Sequence, residues 1–337
     1  MKPGASIAVL GAGSWGTALA LQLVRNGQGT RLWGRDPALV AQLDSCRENT
    51  RYLPGLPLPD ALVVTADLAQ ALAGVTGAIL AVPTEALRST LEDALRGGLA
   101  RLPILIAAKG MESGTALLPH EIARATRPDG SLALLSGPSF AREVACGLPT
   151  AVTIACEDAT VAHQFADALH GSSFRAYIGQ DLIGVALGGA VKNIIAIGAG
   201  LADGLKMGAN ARAALITRGL AELVRLGVRE GAHLETFMGL SGVGDLILTA
   251  TDDQSRNRRL GRLLAEGLSL DAAQSRIGQV TEGTRTLPAL QKRRRQAGVE
   301  MPITEALDSI LHHGADPRQT LERLLERNRT AEFPKDA

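Results

Sequence analysis

The stretch AVLGAGSWGTALA, residues 8–20, joins a short apolar run to a helix of small residues through a glycine-rich turn. Its glycines, Gly11, Gly13 and Gly16, have the spacing G-x-G-x-x-G. In a βαβ unit the first glycine makes the tight turn, the second leaves room for a pyrophosphate, and the third lets the helix approach the strand. Backbone N–H groups at the start of the helix then face the phosphates. The turn therefore predicts a dinucleotide site near the beginning of the chain.

Short apolar runs alternate with helix-like segments through the first half of the chain. We predict strands at residues 6–10, 30–34, 61–65, 77–82, 103–109, 132–137, 151–156 and 174–178. We predict helices at residues 15–26, 37–47, 84–95, 118–125 and 160–169. This alternation indicates an α/β domain of Rossmann type, with a mainly parallel sheet covered by helices on both faces.

The strand pattern stops at about residue 180. Beyond it, Ala, Leu and Arg recur at helical spacing, and glycine and proline mark the breaks. We therefore expect a dinucleotide-binding domain at residues 1–180 and an all-α substrate-binding and catalytic domain at residues 181–337.

The end of the second predicted strand bears on the choice of cofactor. Sites selective for NAD usually place an acidic residue there to hold the ribose 2′-hydroxyl. In this chain Gly34 and Arg35 come first and Asp36 follows. A guanidinium suits the 2′-phosphate of NADP. NADP(H) is therefore favoured, and NAD(H) remains the alternative because the acid is only one residue further on.

The carboxyl ends of the parallel strands should hold the ligands. Lys109 follows the fifth predicted strand, and Gly137 and Ser139 follow the sixth. A cation, backbone N–H groups and a hydroxyl at this edge favour an anionic substrate. The structural alternatives are a surface lysine at position 109 and a helix N-cap at Ser139.

The segment GGAVKNIIAIGAG, residues 188–200, places Lys192 in an apolar helix. Burial can lower the pKa of a lysine by about 3–5 units, so the position needs a chemical reason or a structural partner. The surrounding run, residues 182–202, is as long as a membrane span requires. An ionised group at its midpoint is costly in a bilayer, so we expect a buried helix of a protein that is not membrane-embedded.

Composition and charge argue against several classes of function. The 337 residues carry a formal net charge of +1, which argues against nucleic acid as the main partner. The three cysteines are widely spaced and no histidine cluster has metal-ligand spacing, so we predict no metal site and a reducing compartment. The first residues show no secretory signal, and we expect a cytoplasmic protein. Because the helical half is apolar, we expect a homodimer.

Seven motifs occur in order: GAGSWGTALA, LWGRD, AAKGME, GPSFAREV, AVKNIIAIGAGLADGL, GLSGVGDLILT and SRNRRLG. With these, the chain resembles the prokaryotic-type NAD(P)-dependent glycerol-3-phosphate dehydrogenases from about residue 5 to residue 310. The resemblance implies reversible reduction of dihydroxyacetone phosphate to sn-glycerol 3-phosphate for glycerophospholipid synthesis. It also implies a Rossmann domain followed by a helical substrate domain.

The resemblance assigns roles to individual residues. Lys192 becomes the proton donor and acceptor, with Lys109 and Asp245 as the other catalytic residues. The implied substrate contacts are Lys109, Gly137, Ser139, Lys192, Asp245, Ser255, Arg256 and Asn257. The implied cofactor contacts, beside Gly11, Gly13 and Gly16, are Ser14, Trp15, Arg35, Lys109, Ala141, Arg256, Val280 and Glu282.

A developing negative charge on the ketone oxygen needs a proton donor already in place, which supports the assignment of Lys192. Ser255, Arg256 and Asn257 are phosphate-binding types. We expect Arg258 and Arg259, next in the chain, to lie at the surface. Thr281 stands where the family usually has a small apolar residue.

The sequence is also compatible with two other functions. A β-hydroxyacid or ketopantoate type reductase shares the fold and the lysine, but its carboxylate substrate would not require Ser255, Arg256 and Asn257 together. A dinucleotide sensor without turnover would keep the glycine turn and have no need of Lys192 opposite Asp245.

Overall fold

The computed structural model describes residues 6–325 of the chain. These residues form two compact units. The first contains residues 6–109 and 117–186, and the second contains residues 110–116 and 187–325. These units are defined by contacts between residues. The predicted division into a cofactor domain and a substrate domain at residue 180 concerns function, and it stays a prediction.

The first unit is built on one eight-stranded sheet. Its strands are β1 (Ser6–Leu10), β2 (Gly29–Trp33), β3 (Leu62–Thr65), β4 (Gly77–Leu80), β5 (Ile104–Ile106), β6 (Leu132–Ser136), β7 (Thr150–Ala155) and β8 (Phe174–Gly179). Their order in the sheet is β3-β2-β1-β4-β5-β6-β7-β8, and only the β6–β7 pair is antiparallel. The first six strands have the doubly wound order 3-2-1-4-5-6 of dinucleotide-binding sheets. The predicted fold class is confirmed, and all eight predicted strands are present.

The central strands are apolar on both faces. In β4 all four residues are buried, and in β1 only Ser6 is partly exposed. Continuous apolar runs of this kind belong to parallel strands that are covered by helices on both sides. Strands β2 and β3 are added on one side of β1, and β4 to β6 on the other, so the order of the strands switches side between the parallel strands β1 and β4. The glycine turn follows β1 at this switch point.

Seven helices accompany the sheet. They are α1 (Ser14–Arg25), α2 (Pro37–Cys46), α3 (Leu68–Leu72), α4 (Leu87–Arg96), α5 (Pro119–Thr126), α6 (Ala141–Ala145) and α7 (Ala159–Leu169). The helix predicted at residues 84–95 starts with a separate 3₁₀ turn, Thr84–Ala86, before α4. A second 3₁₀ turn covers Leu99–Arg101. Helices α3 and α6 were not predicted, because five residues are too few to display helical periodicity.

The second unit is helical in the part that the structure describes. Its helices are α8 (Leu182–Gly204), α9 (Ala209–Arg229), α10 (Leu234–Met238), α11 (Asp245–Thr251), α12 (Arg256–Ala265), α13 (Leu270–Ile277), α14 (Glu282–Ala297), α15 (Pro302–His312) and α16 (Pro317–Leu325). A π-helical turn, Leu240–Gly244, leads into α11.

The helix α8, which begins at the end of the first unit, is the central element of the second. Among the described residues it is the one helix long and apolar enough to cross a membrane. However, 94% of its most apolar 18-residue stretch is buried within the protein. This burial is what the core helix of a folded domain shows. It agrees with the expectation of a buried helix.

A buried carboxyl group joins α9 to the start of α15. Glu222 is 2% exposed, and its two oxygens accept hydrogen bonds from the N–H groups of Ile303 (2.6 Å) and Thr304 (3.2 Å). Burial raises the pKa of Glu222 to about 7, with a smaller contribution from Glu305, while the two N–H groups and Arg225 oppose the rise. Glu222 thus caps α15, yet its charged form is disfavoured by the loss of water.

We expect Glu222 to make the stability of the protein depend on pH. The folded state holds this proton up to about pH 7, whereas a glutamate in the unfolded chain releases it near pH 4.5. The free energy of unfolding should therefore fall as the pH rises from 4.5 to 7. Glu222→Gln, which cannot ionise, should remove about 3 kcal/mol of this dependence. Urea unfolding of both proteins from pH 4.5 to 8 measures it. Equal slopes for the two proteins would contradict this expectation.

Candidate active site

The three glycines of the turn differ in backbone conformation and in what surrounds them. Gly11 has φ +122°, and its N–H donates to the carbonyl oxygen of Trp33 (2.9 Å). A Cβ at Gly16 would lie 1.8 Å from the carbonyl oxygen of Gly11. A Cβ at Gly13 would meet no protein atom within 4 Å, so open space faces this position at the start of α1. The three glycines thus have three different environments, and their role in binding a dinucleotide stays a prediction.

Polar groups around the turn also fit a dinucleotide. The α1 helix has no side-chain cap and no acidic residue in its first turn, so nothing there competes with a phosphate. The buried Nε1 of Trp15 has no hydrogen-bond partner. The Ser14 hydroxyl donates to the carbonyl oxygen of Tyr52 (2.6 Å).

The glycine turn is supported by Asn49, a residue that was not predicted. Asn49 is fully buried, and its Nδ2 donates to the carbonyl oxygen of Ala12 (3.0 Å) and to Thr17 Oγ1 (2.8 Å). This amide ties the glycine turn to the segment after α2. An asparagine in a loop has many structural uses, and nothing in the sequence pattern separates this one from the others.

Arg35 and Asp36 occupy different environments at the end of β2. Arg35 is exposed, and its guanidinium has no hydrogen-bond or ion-pair partner among residues 6–325. Asp36 is the N-cap of α2 and accepts a hydrogen bond from the N–H of Ala38 (3.0 Å). The acid is therefore engaged in capping, while the cation is accessible.

Three predicted substrate contacts lie together at the ends of β5 and β6. Lys109 Nζ (3.1 Å) and Ser139 Oγ (2.9 Å) both donate to the carbonyl oxygen of Gly137. Gly137 has φ +134°, and a Cβ there would lie 3.0 Å from the Cα of Val152. The N-cap of α6 is Phe140, so the alternative that Ser139 caps this helix is wrong. Ala141, a predicted cofactor contact, is the first residue of α6.

The second unit buries Lys192 in a polar cluster on α8. Lys192 is 6% exposed, and its Nζ donates to Asp245 Oδ1 in a short ion pair and to Thr249 Oγ1 (3.0 Å). The Thr249 hydroxyl in turn donates to the carbonyl oxygen of Asp245 (2.7 Å). Thr249 was not predicted. Its spacing of four residues from Asp245 on α11 was the available signal.

A local irregularity of the backbone delivers Asp245 to this cluster. The preceding π-helical turn, Leu240–Gly244, packs directly against α8: a Cβ at Gly188 would lie 2.2 Å from the carbonyl oxygen of Ser241. Such π turns often accompany functional sites because they re-aim the residues that follow. Asp245 is 1% exposed, so the ion pair with Lys192 is shielded from water.

A chain of amides connects three helices beside Lys192. Asn257 Nδ2 on α12 donates to Asn193 Oδ1 on α8 (3.0 Å), and Asn257 Oδ1 accepts from the N–H of Gly283 on α14 (3.1 Å). A Cβ at Gly283 would lie 2.8 Å from the carbonyl oxygen of Asn193, so α14 and α8 are in close contact. The predicted residue Asn257 is thereby held against Asn193, the residue that follows Lys192 on α8.

The other predicted residues of this unit surround the start of α12 and α14. Ser255 is the N-cap of α12 and accepts from the N–H of Arg258 (3.2 Å). Arg256 Nη1 donates to Gln279 Oε1 (3.3 Å). Burial lowers the pKa of Arg256, and Glu282 opposes this effect. Val280 is half-buried, and Glu282 opens α14.

Arg258, Arg259 and Thr281 differ in how far they are buried. Arg258 is 8% exposed and paired with Asp203 and Asp253, so its predicted surface position is wrong. Arg259 is exposed, as expected. Thr281 is 3% exposed, and its hydroxyl accepts from Gln274 Nε2 (3.4 Å), which accounts for a polar residue at a buried position.

Among residues 6–325, no three His, Cys, Asp or Glu side chains lie close enough together to hold a metal ion.

Two family models match the chain. The model of the NAD-dependent glycerol-3-phosphate dehydrogenase N-terminus matches residues 6–162, and that of the C-terminus matches residues 181–322. The chain belongs to the NAD-dependent glycerol-3-phosphate dehydrogenase family. The predicted family is confirmed, and with it the predicted class of NAD(P)-dependent oxidoreductase with a small phosphorylated substrate.

Members of this dehydrogenase family are similar to this chain over nearly its whole length. A Xanthomonas campestris protein named glycerol-3-phosphate dehydrogenase (NAD(P)+) is 49% identical over 333 residues, which cover 98% of each chain. The crystal structure of glycerol-3-phosphate dehydrogenase from Coxiella burnetii is 44% identical, with a TM-score of 0.93 over 96% of this chain and 99% of that one. A ketopantoate reductase from Ralstonia eutropha is only 14% identical, with a TM-score of 0.56 over 95% of this chain and 99% of that one, and therefore shows the fold alone.

Proposed function

We propose that the protein catalyses the reversible reduction of dihydroxyacetone phosphate to sn-glycerol 3-phosphate, with Lys192 as proton donor and acceptor. The observation that carries the proposal is the buried contact of Lys192 Nζ with Asp245 and Thr249. A buried lysine with two fixed partners is costly to maintain without a chemical use.

The chain's own residues supply the proton chemistry. The bound nicotinamide would deliver or accept the hydride. As charge develops on the ketone oxygen, the Lys192 ammonium group would donate a proton to it, and it would take the proton back in the oxidation direction. Asp245 and Thr249 would hold the Nζ atom in position, so that little reorganisation is needed when the charge forms.

A phosphate group on the substrate explains the side chains at the start of α12. We propose that Ser255, Arg256 and Asn257 bind it, since a hydroxyl, a guanidinium and an amide all donate to phosphate oxygens. Lys109, Gly137 and Ser139 are proposed as further substrate contacts. This set distinguishes a phosphorylated ketone from the carboxylate of ketopantoate.

The proposed cofactor contacts begin at the glycine turn. The backbone of the turn is close-packed where Gly16 meets Gly11, and the buried Nε1 of Trp15 has no partner. Both features support a dinucleotide there. The full proposed set is Gly11, Gly13, Ser14, Trp15, Gly16, Arg35, Lys109, Ala141, Arg256, Val280 and Glu282.

We expect Arg35 to determine the preference for NADP(H). Its guanidinium is accessible, whereas Asp36 is engaged in capping α2. Arg35→Ala should raise KM for NADPH by about tenfold, which corresponds to ~1.4 kcal/mol, and change KM for NADH less than twofold. Steady-state kinetics with both cofactors measures the difference. Arg31→Ala, which removes a guanidinium four residues earlier, within β2, is the control. Equal effects on the two cofactors would refute the assignment.

The biological setting is also proposed. Glycerol 3-phosphate is the backbone of glycerophospholipids, so the reaction would supply their synthesis in the cytoplasm. We further propose residues 1–180 as the cofactor domain and 181–337 as the substrate domain, and a homodimer as the assembly.

The substrate assignment is tested with the purified protein. Oxidation of NADPH and NADH is followed with dihydroxyacetone phosphate, unphosphorylated dihydroxyacetone and ketopantoate. We expect kcat/KM to be at least about 10³-fold higher for the phosphorylated ketone, because a site built to bind a phosphate rejects analogues without it. Equal or greater efficiency with ketopantoate would overturn the proposal.

A further inference from the structure

The helices α8 and α12 touch backbone to backbone. A Cβ at Gly200 would lie 2.0 Å from the carbonyl oxygen of Arg258, and a Cβ at Gly261 would lie 2.0 Å from the carbonyl oxygen of Ile197. Glycine at both positions lets the two helices approach more closely than side chains would allow. The position of α12 along α8 is therefore tightly constrained at this crossing.

A buried ion pair lies at the same crossing. Arg258 Nη2 donates to Asp203 Oδ2 near the end of α8 (2.7 Å), and Arg258 Nη1 forms a short contact with Asp253. The other oxygen of Asp203 accepts from Arg212 on α9 (2.6 Å). The side chains of Arg258 and Asp203 are 10% and 15% exposed, so water screens their attraction only weakly.

Arg258 is also part of the first turn of α12, which carries the proposed phosphate contacts. It follows Asn257 directly, and its N–H donates to the hydroxyl of the N-cap residue, Ser255. Asn257 reaches Asn193 and the N–H of Gly283 from this turn. The side chain of Arg258 holds the turn to α8 while its backbone shapes the cap.

We infer that Arg258, through its ion pair with Asp203, is a positioning residue for the phosphate-binding turn Ser255–Asn257. It contacts neither reacting atoms nor, in this proposal, the phosphate itself. Two glycine contacts fix how close the helices lie, and the directional ion pair fixes the orientation of the first turn of α12. The inference rests on the proposed phosphate role of this turn.

The test compares Arg258→Met with a matched control, Arg262→Met. Arg262 lies one turn further along α12 and pairs with the same Asp253, but its side chain is 44% exposed and does not reach Asp203. We expect Arg258→Met to raise KM for dihydroxyacetone phosphate about tenfold, or ~1.4 kcal/mol, with kcat within twofold. The control should change neither constant by more than twofold.

Further variants separate positioning from general destabilisation. Arg258→Lys keeps the charge and should recover part of the loss in KM, and Asp203→Asn should reproduce the effect of Arg258→Met. In the double variant Asp203→Asn/Arg258→Met the two effects should not add, because both remove the same contact. A thermal unfolding curve for each variant shows whether the folded state is populated in the assay.

Different results would overturn the positioning role of Arg258 and the phosphate role of the turn. Equal losses in kcat and kcat/KM, or an unchanged KM in folded Arg258→Met, would overturn the positioning role. Additive effects in the double variant would overturn its dependence on Asp203. Arg256→Ala tests the underlying proposal by itself: if this change leaves KM for dihydroxyacetone phosphate unaltered, the phosphate role of the turn fails, whatever Arg258→Met does.

Discussion

Lys192→Ala should lower kcat for dihydroxyacetone phosphate by about 10³-fold, in the range expected when a general acid is removed. The dissociation constant for NADPH should change less than threefold, because the proposed cofactor contacts at the glycine turn are untouched. Steady-state turnover and fluorescence titration of NADPH measure the two quantities. Turnover within tenfold of the wild type would contradict the proposed proton transfer.

A second variant distinguishes loss of the proton donor from loss of stability. Lys192→Ala leaves Asp245 buried without its ammonium partner, which costs about 3–5 kcal/mol in comparable buried pairs. Lys192→Ala/Asp245→Asn removes the uncompensated charge and should recover much of this stability. Its turnover should stay as low as that of the single variant, since the proton donor is still missing. Recovery of turnover together with stability would point to a structural role for Lys192.

Gly13→Ala should weaken NADPH binding by about 10²-fold, or ~2.7 kcal/mol, with little change in melting temperature. The backbone at Gly13 is extended (φ −79°, ψ −177°), which alanine adopts without strain, and no protein atom lies near the added Cβ. The methyl group would instead occupy the space proposed for the pyrophosphate. Isothermal titration with NADPH and a thermal melt of the free protein measure the two effects.

Gly16→Ala provides the matched contrast, since the same methyl group is added three residues away. There the new Cβ would meet the carbonyl oxygen of Gly11 at 1.8 Å, so backbone must move, at a cost of about 1–3 kcal/mol in stability. We therefore expect a lower melting temperature for Gly16→Ala. Unchanged NADPH affinity in Gly13→Ala would contradict the assignment of the turn.

Much of the fold was predictable because its signals are local. The apolar runs that became β1 and β4 and the spacing of Gly11, Gly13 and Gly16 depend on neighbouring residues alone. The short helices α3 and α6 escaped prediction, since five residues show no clear period. The antiparallel direction of β7 depends on how the chain returns to the sheet, which no local pattern specifies.

Residues of the candidate site could be predicted where their type is unusual for the surrounding sequence. Residues whose type is common in such a segment could not. A lysine in the apolar helix α8 draws attention from sequence alone. Asn193, beside Lys192, is also out of place there, but its contact with Asn257 spans 64 residues. Thr249 is unremarkable in sequence, and its importance comes from a contact across 57 residues. Arg258 was misjudged because its neighbours are charged, and its partner Asp203 lies 55 residues away.

The most direct test of the central claim is chemical rescue of Lys192→Ala by small primary amines. If Lys192 supplies the proton, methylamine and ethylamine should raise kcat for dihydroxyacetone phosphate by at least about tenfold, with a rate that depends on the acidity of the ammonium ion. Tertiary amines of similar acidity, too bulky for the space vacated by the lysine side chain, should have no effect. Failure of every amine to accelerate a folded variant that binds NADPH normally would contradict proton transfer by Lys192.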